Sequence, residues 1–409
     1  MGGHGVKVVI CGGGIAGLAA AIQISANGTE VVVLERSRGL RSQGYMVDIF
    51  GVGYDAAEAM NLLPALENVA YKPDGACLVD ERGRRRVSLP YALAAKVHSG
   101  RLLKVMRSDL EKVLHDNMPG QIDLRWNSSV VDVSDQLDRV VLTLDGGERL
   151  DCDLLVGADG IHSTVRRCVF GAESMFLRYL GLRATAFVID APDIARTLKG
   201  QVALTDTIGR QMGFFVLRDG RVAVFGVHYT LDQDVPVDRR AAIHDAFDGL
   251  GWLVPDALEL CPPSEQIYYD QIAQIEMPRW SKGRVTLLGD ACCAVSLLVG
   301  QGASLGIAGA YVLAEKLRSA ASPELASADY ERLLHPLTLE KQKRGRTAAR
   351  WLVPESMKEL WLRRAALKLA RLPIADRYIG TALSGKSAPL ITNPAHENSS
   401  PSSVAEQKV

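Results

Sequence analysis

The chain has little that would direct it to nucleic acid, to metal or into a membrane. Its 47 Lys and Arg balance 47 Asp and Glu, so no global field gathers phosphate backbones or an anionic bilayer. The basic run from Arg82 to Arg86 is broken by Gly83 and reads as an exposed turn. Seven cysteines lie without a C-x-x-C pair or a Cys/His ligand spacing. That argues against zinc and for a reducing compartment. Eight histidines form no H-x-x-x-H arrangement, and no metal is expected. No cationic-then-apolar leader opens the sequence, so a cytoplasmic location is expected and the triplets at Asn27, Asn127 and Asn398 carry no glycosylation meaning. The weakly charged stretch 291–314 is long enough to span a bilayer. Its Gly, Ser and Gln instead read as a buried loop followed by a core helix, so no integral membrane segment is expected.

What is present is a chain of 409 residues, 47% hydrophobic and 23% charged, enough for two domains and a large core. Lys7 to Cys11 reads as a short apolar strand, Ala16 to Ala26 as a helix stopped by Asn27-Gly28, and Thr29 to Leu34 as a buried parallel strand. Between the first strand and the helix lies Gly12-x-Gly14-Ile15-Ala16-Gly17. The first glycine permits the tight turn, the second lets the backbone approach a pyrophosphate, and the third allows close helix–strand packing. The helix start then turns its free N–H groups toward the phosphates. Glu35 ends the second strand at a spacing that suits a carboxylate accepting from ribose hydroxyls, and it would repel a 2′-phosphate. The motif alone does not separate FAD from NAD.

The spacing predicts a helix over Leu102 to His115, with Ser108 as its N-cap and Glu111 three residues later. Strand-like stretches follow at Ile122 to Ser134 and Val140 to Leu144, then the turn Asp145-Gly146-Gly147 and the strand carrying Leu154 to Gly157. Between about 175 and 280 the composition shifts to clustered β-formers separated by turns such as Arg218-Asp219-Gly220. The expected fold is α/β: a Rossmann-like domain with an inserted antiparallel sheet and C-terminal helices. Its expected parts are 1–174 (dinucleotide domain, first part), 175–280 (substrate sheet), 281–325 (dinucleotide domain, last part), 326–385 (helical) and 386–409 (disordered). The helix from Met357 to Arg371 carries Trp361, Leu362 and Leu367 among several Lys and Arg. Packing of one face on its own domain is favoured over contact with lipid or another subunit.

Two later segments complete a pattern. Gly157-Ala158-Asp159-Gly160-Ile161-His162-Ser163-Thr164-Val165-Arg166 resembles the Asp-Gly motif of the para-hydroxybenzoate hydroxylase-like FAD monooxygenases. Gly289-Asp290-Ala291, with Gly300-Gln301-Gly302-Ala303, resembles their Gly-Asp motif and the helix start that meets the flavin. Arg107 in Met106-Arg107-Ser108-Asp109-Leu110 is similar to the arginine of their R-x-x-L helix. The resemblance covers roughly residues 5 to 370, in the family's order, and is nearest to tetracycline-modifying and antibiotic-tailoring members.

The resemblance implies FAD as cofactor, NADPH or NADH as co-substrate, and oxygenation of a bulky apolar or aromatic small molecule, of the secondary-metabolite kind, by a monomer or homodimer. Asp290 would accept from ribityl hydroxyls. The amides of Gly300 to Ala303 would stabilise negative charge on the pyrimidine edge of reduced flavin. Arg107 would bind the pyrophosphate side. Arg36 and Val130 are further cofactor-binding candidates, and Gly44 would allow backbone approach beside the ring. Asp159 divides evenly between a strand-end turn and contact with a nucleotide. Arg41, Asp48 and Phe215 are candidates for the active-site edge, and the aromatic strands 211–216 and 223–228 for the substrate wall. Cys293 stands where the family usually has His, and Leu297 near its usual Pro. That departure keeps a redox-neutral flavoprotein, such as a cyclase, as the alternative.

Overall fold

The computed structural model describes residues 6–41, 44–369 and Ile391. Its centre is a six-stranded sheet in the order Ser281–Lys282, Val285–Leu287, Leu154–Gly157, Lys7–Cys11, Glu30–Leu34 and Asp123–Arg125. All neighbours pair parallel except the two-residue edge strand. Val8, Val9 and Ile10 are fully buried, as are Leu154, Leu155 and Val156. Strands covered on both faces read as continuous apolar runs. The first strand is flanked by Glu30–Leu34 on one side and Leu154–Gly157 on the other, so the connections diverge there. That opens a crevice at the carboxyl ends of the strands, where nucleotides bind in such sheets.

Three of the sequence motifs meet at this crevice. The helices Ile15–Ser25 and Gly302–Ser319 pack across small residues. A Cβ on Gly306 would lie 3.3 Å from the Cβ of Ala16, and one on Gly289 would lie 2.8 Å from it.

A seven-stranded sheet stands over the crevice. Its order is Tyr268–Ile275, Leu177–Ile189, Val222–Tyr229, Arg210–Val216, Val202–Thr205, Gly75–Val79 and Arg85–Pro90. The last two strands come from the stretch grouped in sequence with the first dinucleotide segment. Val202–Thr205 joins Gly75–Val79 in parallel, so the sheet is mixed. A pairing between such distant residues has no local signature. One face packs Phe187 and Phe214 under the helices Arg239–Phe247 and Val254–Glu259. The other face turns Leu182, Ala184, Phe225 and Tyr268 toward the crevice side.

Several elements differ from the sequence expectations. Leu102 to His115 is a strand, Leu102–Met106, followed by a helix, Arg107–Asp116. Its N-cap is Met106, and Ser108 lies within the first turn. The strand forms because Leu103 and Val105 pair with Ile49 and Val47 on Met46–Phe50, which outweighs the local helical spacing. Ile122 to Ser134 splits into Asp123–Arg125, at the edge of the central sheet, and Val130–Asp135, in a small meander with Val140–Leu144 and Arg149–Cys152. The stretch 291–314 is a short helix, Asp290–Cys293, a loop, and the core helix starting at Gly302. No helix of the described residues is long and apolar enough to cross a membrane.

The C-terminal region is a long helix, Pro323–Leu352, then Met357–Leu369. The second is held to the sheet by Arg363 and Arg364, which both bind the buried Asp206 at 2.5 Å. Leu360 is buried while Trp361 is 64% exposed. The expected disordered tail lies outside the described residues, apart from Ile391.

Candidate cofactor site and active cleft

The crevice continues into one cleft with two ends. The end near the first glycine motif is lined by Gly12, Gly14, Glu35, Arg36 and Val130. The other end is lined by Ile15, Ala16, Gly300, Gly302 and Ala303. Gly14, Tyr45, Arg107, Tyr268, Asp270 and Asp290 border both.

The glycines are required by geometry. Gly12 has φ +110°, and a Cβ there would lie 2.4 Å from the Ala158 carbonyl oxygen. A Cβ on Gly17 would lie 1.8 Å from the Gly12 carbonyl oxygen, so only glycine lets the helix come this close. Gly17 does not border the cleft; its part is packing. Gly14 has no atom nearer to its would-be Cβ than the Glu111 carboxylate at 3.7 Å, which leaves the backbone open to a ligand.

Glu35 is buried at the end of its strand. Its carboxylate accepts from the Gly13 N–H at 2.7 Å and the Ser37 N–H at 2.9 Å. Burial pushes the carboxyl up, but the Ser37 and Gly13 donors with Arg41 outweigh this, and the net shift is downward. It is therefore an anion that fastens the glycine turn and lines the first end of the cleft. Glu35→Gln should weaken FAD binding by about tenfold, since one charge-assisted contact contributes about 1.5 kcal/mol. Equilibrium dialysis of FAD against the apoprotein measures it, and an unchanged Kd would remove Glu35 from the site.

Asp159 accepts from the Ser163 hydroxyl and from the Thr164 and Val165 N–H groups at 2.7 and 3.1 Å. It thus satisfies the start of the helix Thr164–Val169 while bordering the adenosine end. Burial raises its pKa against these donors.

At the junction, Arg107 opens its helix and pairs with Glu111 at 2.7 Å; their side chains are 19% and 3% exposed. Asp290 is enclosed by protein, yet its surface is open because it faces the cleft. Burial raises its pKa, and Arg107 opposes this. No described residue donates a hydrogen bond to it. A Cβ on Gly302 would sit 3.5 Å from its Oδ1, so the carboxylate adjoins the start of the helix Gly302–Ser319. That helix has Gln301 as N-cap without a side-chain cap, leaving amide donors at the cleft. A lone acceptor beside uncapped donors fits the ribityl hydroxyls and pyrimidine edge of a flavin. Gln301 itself does not line the cleft.

The structure moves the three expected edge residues elsewhere. Arg41 lies at the adenosine end, 3.8 Å from Glu35. Asp48 pairs with Lys104 at 2.6 Å and does not line the cleft, whereas Tyr45, Met46 and Val47 do. Phe215 is buried with Met106, Leu217 and Ala223, its ring 6.4 Å from Tyr71, and does not line the cleft. Phe214 belongs to the opposite face of the sheet. Gly44 sits behind the site, where a Cβ would meet the Arg107 Cβ at 3.3 Å.

Sequence reading missed Tyr268, Asp270 and His162. The Tyr45 and Tyr268 rings are 5.2 Å apart across the cleft. Burial pushes the Tyr45 hydroxyl up to about 12 and raises that of Tyr268 well above its ordinary value, so both are neutral phenols. His162 lies between Asp270 (3.4 Å) and Glu173 (3.0 Å), bridging the crevice loop and the upper sheet. The Asp270 hydrogen bond raises its pKa most, burial opposes, Glu173 adds, and the result is about 9. A folded pKa above the unfolded value of about 6.5 means stabilisation complete below that pH and lost as pH rises through about 9. Melting temperature should fall across that window, and Asp270→Asn should flatten the fall. An unchanged slope would refute the bridge. His228 is the opposite case: burial, with Arg183 and Arg210 nearby, lowers it to about 4, a neutral core residue.

A family profile described as FAD binding domain matches residues 5–337. An uncharacterized protein of Mycobacterium tuberculosis (strain ATCC 25618 / H37Rv) is 30% identical over 359 residues, covering 86% of this chain and 93% of its own length. A flavin-dependent monooxygenase from an unknown prokaryotic organism is 28% identical over 353 residues, covering 83% and 88%. The crystal structure of tetracycline destructase Tet(51) has a TM-score of 0.79 and 27% identity, covering 94% of this chain and 100% of that one. The glycine turn, the acidic strand end and the Gly-Asp crevice all lie within the matched span, and this chain belongs to the FAD binding domain family, among the flavoprotein monooxygenases that it resembles in sequence and fold.

Proposed function

We propose that the protein is an NAD(P)H-dependent FAD monooxygenase that oxygenates a bulky apolar or aromatic small molecule of the secondary-metabolite kind. The observation that carries this reading is the single cleft. Along its length it carries the acceptors and amide donors that a flavin dinucleotide needs, and its second end also runs beneath an apolar and aromatic sheet face. When bound, FAD supplies the redox chemistry, taking hydride from the nicotinamide and activating O2. The chain's own residues bind, orient and exclude water. Asp290 anchors the middle of the cofactor. The uncapped start of Gly302–Ser319 places positive dipole beside the redox ring. Tyr45 and Tyr268, kept neutral by burial, offer hydroxyl donors to a substrate oxygen at the junction. Leu182, Ala184 and Phe225 behind them keep the upper wall dry.

The resemblance to tetracycline-modifying enzymes supports a polycyclic, oxygen-bearing substrate, and tetracycline is a reasonable first probe. The test is anaerobic mixing of the yellow holoprotein with NADPH or NADH, with and without tetracycline. Bleaching of the flavin by either nucleotide is the expected result. A flavin that neither nucleotide reduces, with any candidate substrate present, would refute the proposal and favour the redox-neutral alternative.

A further inference from the structure

The loop between the Gly-Asp pair and the glycine-rich helix forms part of the flavin-end wall, through Ala294, Val295, Ser296 and Leu297. At Ser296 the backbone has φ +92° and ψ +135°. A residue with a Cβ is strained there and keeps this shape only when its surroundings impose it. Here the imposing groups lie behind the loop, on its far side from the cleft.

Two glutamine side chains grip the carbonyls just before Ser296. Gln342 Nε2 donates to the Ala294 carbonyl at 3.1 Å and to that of Ile275 at 2.7 Å. Gln274 Nε2 donates to the Val295 carbonyl at 3.0 Å and to that of Gln342 at 2.9 Å. Arg346 closes the set by donating to Gln274 Oε1 at 3.0 Å and Glu276 Oε1 at 2.8 Å. Every Nε2 faces carbonyls and Gln274 Oε1 faces a guanidinium, so the orientation of that amide is settled by its partners. Gln274 is 0% and Gln342 2% exposed. A buried network in which both amide nitrogens and Gln274 Oε1 have partners favours one local shape. The long helix also comes very near: a Cβ on Gly345 would lie 2.6 Å from the Val295 carbonyl oxygen and 2.8 Å from Val299 Cγ2.

We propose that Gln274 and Gln342 are positioning residues for oxygenation, holding the flavin-end wall in its strained shape from behind and tying it to the helix Pro323–Leu352. They touch neither the cofactor end nor the substrate end of the cleft; they act through the carbonyls of Ala294 and Val295. This assignment rests on the monooxygenase reading for its catalytic meaning, but its geometric content is separate.

The test uses the full-length, FAD-loaded protein in three variants. Gln342→Met removes the amide at nearly constant volume. Gly345→Ala keeps both amides but pushes on the Val295 carbonyl. Lys343→Ala changes an exposed neighbour on the same helix and serves as control. Hydrogen exchange of the amides of residues 294–300 should run at least about tenfold faster in the first two variants. Bound-flavin fluorescence should shift, and peroxide released per NADPH oxidised in the presence of tetracycline should rise at least about twofold, as water reaches the site. Lys343→Ala should match the wild type. If both test variants exchange and fluoresce like the wild type, the proposal fails. It also fails if they only melt at lower temperature with loop exchange and flavin signal unchanged, since that is what a purely structural role gives. Should Gln342→Met not fold, Gly345→Ala decides alone. If neither nucleotide reduces the wild-type flavin, the monooxygenase reading fails, while exchange and fluorescence still decide whether the amides shape the wall.

Discussion

Asp290→Ala should yield a folded, colourless protein. The carboxylate has no hydrogen-bond donor among the described residues, and burial already raises its pKa. Removing it therefore costs the apoprotein little. If Asp290 accepts from two flavin hydroxyls, as proposed, the cofactor loses two hydrogen bonds to a charged group, each contributing about 1.5–3 kcal/mol. A loss of about 3 kcal/mol or more weakens FAD by about 100-fold or more. Absorbance of the purified protein and titration of the apoprotein with FAD measure it, alongside the melting temperature of the apo form. A variant that stays yellow at full occupancy would remove Asp290 from the flavin contacts. One that loses colour only because it unfolds would show that the residue serves the fold.

Arg107→Met should destabilise the protein and lose flavin, and the two effects should be separable. Glu111 is 3% exposed and has Arg107 as its ion-pair partner at 2.7 Å. Its pKa is already raised by burial, with Arg107 holding it down. Without the guanidinium a carboxylate is left buried and unpaired, which costs about 3–5 kcal/mol. For a chain of this length that is roughly a 5 °C fall in Tm. The single variant should regain stability toward acid pH, where Glu111 takes a proton that the folded state then binds more tightly than the unfolded chain. Arg107→Met with Glu111→Gln should recover most of the lost Tm at neutral pH, because no charge is stranded. FAD should remain weak in both if the guanidinium contacts the pyrophosphate side. Full flavin affinity in the double variant would confine Arg107 to neutralising Glu111.

These expectations show what was legible in the sequence. Gly12, Gly14, Gly17 and Glu35 act over one strand–turn–helix–strand unit, so their spacing carries their geometry. Asp290 and Gly300 to Ala303 are legible for the same reason, as a strand end and the helix start that follows. The failures involve residues whose direction depends on distant partners. Asp48 and Phe215 sit on strands, where one step of alternation decides which face a side chain takes. Nothing within either strand fixes that face. Leu102 to Met106 has a helical pattern locally but becomes a strand because Met46–Phe50 offers it a partner. His162 has no distinguishing neighbour in sequence; its partner Asp270 comes 108 positions later.

The sequence by itself determined the family and the cofactor, because the glycine turn, the acidic strand end and the Gly-Asp turn are each made by neighbours along the backbone. Only the tertiary structure decided which side chains line the cleft, which partners Asp159 and Arg107 take within the protein, and what holds the loop 294–297 from behind. Those outcomes depend on pairings between strands and helices tens to hundreds of residues apart, whose register and facing are settled by burial across the whole core.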